Sequence, residues 1–266
     1  MKLFDFSEGR RPIVVSLPHC GEHVPETIAT RLASGAAGIP DTDWHLRRLY
    51  DFAAGMGAHV LAATHSRYVI DLNRPSDGSV LYAGKSNTEL CPLTTFDGAP
   101  VYREGQQPDA SEVAARVDRY WLPYHRRLEE TLGALVAEHG VAVLIDGHSI
   151  RSRVPRFFDG QLPDFNLGTA DGASADMALA EAMLKACTAP PFTQVLNGRF
   201  KGGAITRTYG RPGMGVHAVQ IEQAQATYMD EAPPFAYRPD LAERAKPLLQ
   251  AAVQAALDWI DRHRPL

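Results

Sequence analysis

Three short apolar runs, each ending in polar side chains, constrain this chain more than any other feature of it. Residues 12–17 (Pro-Ile-Val-Val-Ser-Leu) lead into Pro18-His19-Cys20-Gly21, residues 141–145 (Val-Ala-Val-Leu-Ile) lead into Asp146-Gly147-His148-Ser149, and residues 216–221 end at Glu222. A run of five or six apolar residues that stops in this way reads as a buried strand opening into a loop. Helical patterns fill the intervals. Trp44, Leu49, Phe52 and Met56 recur at helical spacing behind Asp41-Thr42-Asp43, whose carboxylates can cap a helix that Gly55 and Gly57 stop. Residues 109–139 predict a long helix kinked at Pro123 and ended by Gly140, with further helices over 175–187 and 240–263. Strands are also expected at 59–63, at 68–72 running into Asn73-Arg74-Pro75, and at 194–197. The alternation predicts an α/β fold, a single domain over 1–266 whose mostly parallel or mixed central sheet is flanked by helices. Ligands of such sheets bind outside the carboxyl ends of the strands, where His19, Glu22, Asn73, Arg74, His148 and Glu222 all fall.

Composition narrows the partners. With 27 Lys and Arg against 31 Asp and Glu, the net charge of −4 leaves no excess cation to neutralise a phosphate backbone or an anionic membrane, so nucleic acid and membrane surfaces are excluded as partners. Cys20, Cys91 and Cys187 are an odd, widely spaced set, which argues for free thiols in a reducing compartment. No apolar run reaches the roughly 20 residues of a membrane span, and the N-terminal stretch has no signal-peptide core, so a soluble, cytoplasmic protein is expected. The sequence does not define an oligomeric state.

Three constellations carry chemistry. His19 and Glu22 stand three residues apart, and His148 follows far along the chain on another strand end. Two imidazoles and a carboxylate are a zinc ligand set that leaves one position open for water, although the same donors accept other divalent metals. His23, His45, His65 and His217 are rival ligands, and a strand-end histidine held only by hydrogen bonds is the plain alternative for His148. Glu222 ends an apolar strand, where an ionised carboxylate is costly unless it has a partner or works as a general base; an edge-strand salt bridge is the alternative. Asn73-Arg74, with Arg151, Arg153, Arg156, Arg207 and Arg211, offers planar forks suited to a carboxylate-bearing substrate, although most arginines are simply solvated. The Gly202-Gly203 and Gly210–Gly215 loops match no nucleotide fingerprint. Cys20 beside His19 is a poor nucleophile pair, because adjacent side chains on a loop rarely face each other.

Read together, Ser16-Leu-Pro-His19-Cys-Gly21-Glu22-His23-Val-Pro25, Asp41-x-Asp43, Asp71-Leu-Asn73-Arg74-Pro75, Ile145-Asp146-Gly-His148-Ser149, Asn197-Gly-Arg-Phe200-Lys-Gly202-Gly203-x-Ile205, Tyr209-Gly210-x-Pro212 and Gly215-Val-His217-Ala-Val-Gln220-Ile-Glu222 resemble the N-formylglutamate amidohydrolase family. The resemblance implies hydrolysis of N-formyl-L-glutamate, a small anionic N-acylamino acid, to formate and L-glutamate in histidine breakdown. It also implies a zinc-carboxypeptidase-like fold, with aspartoacylases as further distant relatives. By analogy with those enzymes, His19, Glu22 and His148 would hold zinc, Glu222 would be the catalytic base, and Asn73, Arg74, Arg153, Arg156, Arg207 and Arg211 would supply contacts to the substrate carboxylates. Another N-acylamino acid, a peptide terminus, or non-catalytic anion binding on the same fold are the competing expectations.

Overall fold

A computed structural model describes residues 1–80 and 87–263. In chain order the elements are β1 (Phe4–Ser7), β2 (Ile13–Leu17), α1 (Glu26–Ala29), α2 (Leu46–Leu49), α3 (Phe52–Gly55), β3 (His59–Ala63), α4 (Ala110–Arg116), a π turn (Val117–Trp121), α5 (Leu122–His139), β4 (Ala142–Ile150), β5 (Phe165–Gly168), α6 (Met177–Ala186), β6 (Gln194–Leu196), α7 (Ala204–Tyr209), β7 (Val216–Ala224) and α8 (Pro239–His263). The strands form one mixed sheet in the order β1-β3-β2-β4-β7-β5-β6. Its centre, β3-β2-β4-β7, is parallel, while β1 and β5 join antiparallel on either side of that block. This is the α/β sheet with helical cover that the alternating pattern predicts.

The period of two along each strand divides the core between the faces. On one face Ile13, Val15 and Leu17 of β2, Val143 and Ile145 of β4, and Val219 and Ile221 of β7 pack with α6 and the long amphipathic α8. On the other, Val14, Leu61, Leu144 and Ala218 pack with Tyr124, Leu128, Leu132 and Leu135 of α5. Both β4 and β7 run on for nine residues, past the apolar stretch, so the polar residues expected in a following loop continue the ladder instead. Asp146 then pairs in register with Gln220, and His148 with Glu222, on the α5 face. A two-by-two block of polar groups therefore extends the sheet directly beyond its apolar core.

Several expectations change. Residues 44–56 form only the short turns α2 and α3, because both expected capping carboxylates are engaged elsewhere: Asp41 accepts from Tyr68 Oη and the Phe96 amide, and Asp43 from the Ser149 amide. Residues 68–72 make no ladder. The free edge of β3 is already taken by β1, a strand the sequence reading overlooked, and the segment turns instead around the buried Arg67–Asp71 pair. β5 was overlooked as well. The long helix bends through the π turn, and Pro123 sits in the first turn of α5, where its missing amide costs nothing.

Candidate active site

His19, Asp43 and His148 are all buried, and one ligating atom from each lies within 4.8 Å of the others. His19 stands two residues past the end of β2, His148 near the end of β4, and Asp43 on the loop that folds back over the sheet, its amide donating to the His19 carbonyl at 3.1 Å. The outward nitrogens of both rings are tied to carboxylates. His19 Nε2 lies 2.6 Å from Asp71 Oδ1, and His148 Nε2 lies 3.0 Å from Asp146 Oδ1. On the inner side, His19 Nδ1 and His148 Nδ1 lie 3.8 Å and 3.2 Å from Asp43 Oδ2. Two imidazoles oriented by carboxylates, together with one inward carboxylate, fit a divalent ion with a coordination position left open.

Electrostatics bear on the same set. Burial opposes charge on Asp71, but Arg67, His19 and Arg74 outweigh it and hold the carboxyl well below its usual range. Burial also opposes charge on His148, yet Asp146 and Asp43 hold its pKa well above the ordinary value. Burial and Arg67 lower His19. Glu222 is buried and pushed up to about 8, first by desolvation and then by Asp43 and Asp146 against the pull of His148 and Arg67. Gln220 holds this carboxylate, donating from Nε2 to Glu222 Oε2 at 2.9 Å while its Oε1 accepts the Gly203 amide at 2.6 Å.

These groups adjoin a cavity whose lining includes His19, Asp43, Arg67, Asn73, Arg74, His148, Arg199 and Glu222, with Phe96, Phe157 and Phe200 as apolar surface. Asn73 is wedged between elements: its Oδ1 accepts the Ile205 amide at 2.8 Å, and its Nδ2 lies 2.8 Å from His148 Nε2 and 3.4 Å from Asp146 Oδ2. Gly203 permits this, since a Cβ there would lie 2.2 Å from Asn73 Nδ2.

The structure thus brings His19, Asn73, Arg74, His148 and Glu222 together and leaves other expected residues outside. Glu22 does not join His19 and His148. It is exposed beside a separate hollow with Lys2 and Arg47, because Gly21 is pressed on the backbone of Thr64 and His65 and the His23 amide bonds Thr64, so the loop follows the end of β3 away from the site. Asp43 stands in the group instead. Arg153, Arg207 and Arg211 are exposed, Arg156 is bound to Thr94 and the Thr95 carbonyl, and none of the four lines the cavity. Arg151 pairs with Asp97. Cys20 is buried, bonded to the Leu17 and Ala63 carbonyls, and its thiol is pushed up to about 12 by desolvation, which leaves no thiolate for nucleophilic attack.

Arg67, Asp43, Asp71, Asp146 and Gln220 were not assigned to the site from the sequence. Asp71 and Asp146 each lie two residues before a residue that was, and Asp43 was read as a helix cap.

Comparison with known proteins identifies the family. The sequence model of the N-formylglutamate amidohydrolase family matches residues 11–229. The N-formylglutamate deformylase of Pseudomonas aeruginosa is 52% identical over 259 residues, 97% of each chain, and that of Pseudomonas putida is 49% identical over the same share. Among solved structures, an N-formylglutamate amidohydrolase from Ralstonia eutropha JMP134 shares the fold with a TM-score of 0.84 at 22% identity, covering 97% of this chain and 98% of its own.

Proposed function

Because the chain belongs to the N-formylglutamate amidohydrolase family, we propose that it hydrolyses the formamide bond of N-formyl-L-glutamate to formate and L-glutamate, as one metal-dependent domain in the cytoplasm. The observation that carries this reading is the inward-facing group His19, Asp43 and His148 next to the buried carboxylate of Glu222 in a cavity lined by arginine. His19, Asp43 and His148 would hold a zinc or other divalent ion, which would supply Lewis acidity toward the formyl carbonyl.

The remaining steps belong to the chain. Glu222, poised near neutrality, takes a proton from the attacking water and delivers it to the departing amide nitrogen, a cycle that needs a carboxyl able to do both near pH 7. Gln220 fixes one Glu222 oxygen, which leaves the other for this transfer. Asp71 and Asp146 keep both imidazoles turned inward. The cationic lining of the cavity offsets the two carboxylates of the substrate, while the phenylalanines exclude water from its methylenes.

The test combines metal analysis of the purified protein with formate release from N-formyl-L-glutamate and from N-acetyl and other N-formyl amino acids. The expected result is about one divalent ion per chain, with turnover lost on chelation and restored by zinc. Full turnover by thoroughly metal-free protein would reject the metal role, and absence of formate release would reject the substrate.

A further inference from the structure

Among the described residues three arginines line the cavity, and their bonding separates them. Arg74 is spent on the chain. Its Nε donates to the Thr88 carbonyl at 3.0 Å, its Nη1 to the Asn73 carbonyl at 2.9 Å and its Nη2 to Thr88 Oγ1 at 2.8 Å, so this guanidinium ties the loop after Asn73 to residue 88. Arg67 is different. It is only 5% exposed, its Nη2 meets Asp71 Oδ2 at 2.5 Å, and its buried Nε has no partner among the described residues. Its guanidinium lies 4.8 Å from the centroid of the Phe96 ring.

Arg67 also stands close to the chemistry. A single carboxylate, Asp71, separates it from His19, and its charge is felt by both His19 and Glu222. Arg67 thus lines the cavity with one side-chain hydrogen bond among the described residues, to Asp71, where Arg74 makes three, so its guanidinium is the less engaged of the two when an acceptor arrives. In N-formylglutamate the α-carboxylate sits one carbon from the scissile nitrogen, whereas the side-chain carboxylate lies two methylenes further out. Arg67, hydrogen-bonded to the carboxylate that holds His19, is therefore matched to the α-carboxylate.

We infer that Arg67, rather than Arg74, binds the α-carboxylate of the substrate, with Arg74 holding the loop that carries Asn73. This rests on the deformylase reading above. It makes Arg67 a specificity residue that sequence motifs pass over, because Arg67 lies four residues before Asp71, just ahead of the segment 68–72 that reads as a strand.

The experiment measures kcat and KM for N-formyl-L-glutamate, its α-amide and N-formyl-L-glutamine with wild type, Arg67→Lys and Arg74→Lys, alongside bound metal and calorimetric binding of L-glutamate. Lysine at position 67 keeps a charge for Asp71 but loses the planar fork. Arg67→Lys is expected to retain its metal and to lose about 10- to 100-fold more in kcat/KM on N-formyl-L-glutamate than on the α-amide, mainly through KM, with weaker L-glutamate binding. Equal losses on both compounds with L-glutamate binding unchanged would overturn the assignment. Arg74→Lys decides the matter even if the first variant folds poorly: it should lose alike on all three substrates, and a loss confined to those carrying the α-carboxylate would move the contact to Arg74. Failure of the wild type to release formate from any of the three would instead remove the deformylase reading, and the inference with it.

Discussion

At the scale of single residues, the site depends on which nitrogens and oxygens face inward. His19→Ala, His148→Ala and Asp43→Ala each remove one of three inward donors and should abolish both metal retention and formate release. Glu22→Ala is the contrasting variant. Its carboxylate is exposed away from the group, so metal content and turnover should stay within about twofold of wild type, the range usual for a surface change; loss of metal in this variant would restore Glu22 as a ligand. Asp146→Asn keeps the shape but weakens the acceptor for His148 Nε2, with metal affinity expected to fall about 10- to 100-fold in a chelator competition. Glu222→Gln should bind metal normally and slow the chemical step by roughly 10²- to 10⁴-fold. Metal lost together with activity would show Glu222 acting as a ligand.

At the scale of elements, the loop bearing Asn73 has no ladder of its own and is held from three sides. The Trp121 indole in the π turn donates to the Arg74 carbonyl at 3.0 Å, His125 Nε2 of α5 lies 2.8 Å from the Leu72 carbonyl, and the first turn of α7 supplies the Ile205 amide to Asn73. The widened π turn sets Trp121 in a stack on His125, with ring centroids 3.5 Å apart. Close contact between α7 and this loop makes a sharp prediction. Gly203→Ala forces a Cβ into the Asn73 amide and should cost about 1–3 kcal/mol in urea denaturation, together with most of the activity. In an Asn73→Ala background the same change meets an emptied space, so the two stability losses should fall short of additivity by about 1 kcal/mol or more. Strict additivity would mean that Gly203 is not there to accommodate Asn73.

At the scale of the whole molecule, buried neutral histidines set the acid limit of the fold. His125 is buried and its pKa is lowered to about 4, chiefly by desolvation against the pull of the Leu72 carbonyl. The sign follows from proton binding. Above the unfolded value of about 6.5 neither state carries the proton, and no penalty arises; as pH falls below it, the unfolded chain binds a proton that the native chain refuses until about pH 4. Stability therefore drops by about 1.4 kcal/mol per pH unit across that window for this group, or about 2 kcal/mol between pH 6.5 and 5. His125→Gln, which can still donate to the Leu72 carbonyl, should lower stability at pH 7 but flatten its decline between pH 6.5 and 5 by that amount. An unchanged decline would place the acid sensitivity on other groups, with His65, also lowered to about 4, the next to substitute.

Local signals carried the architecture. Val141–Ile145 and Ile13–Leu17 are apolar enough to be strands in any context, Gly140 ends α5 in the left-handed conformation that favours glycine, and the alternation with α6 and α8 was sufficient for a helix-covered α/β sheet. His19, His148 and Glu222 were legible because each stands at or just past the end of an apolar strand, where such sheets place their ligands. Two strands were not legible: β1 pairs with β3, and β5 with β7, more than fifty residues away in sequence, which no local pattern records. Membership of the candidate donor group was decided in the same way. Glu22 is near His19 in sequence and Asp43 is not, yet the packing of Gly21 on β3's exit carries one away while the Asp43 amide bonds the His19 carbonyl and brings the other in. Arg67 and Arg74 look alike as residues. Only the folded chain shows that Thr88 and the Asn73 carbonyl occupy one guanidinium, while the other lines the cavity bonded to Asp71, because hydrogen-bond partners are assigned by three-dimensional proximity rather than by spacing along the chain.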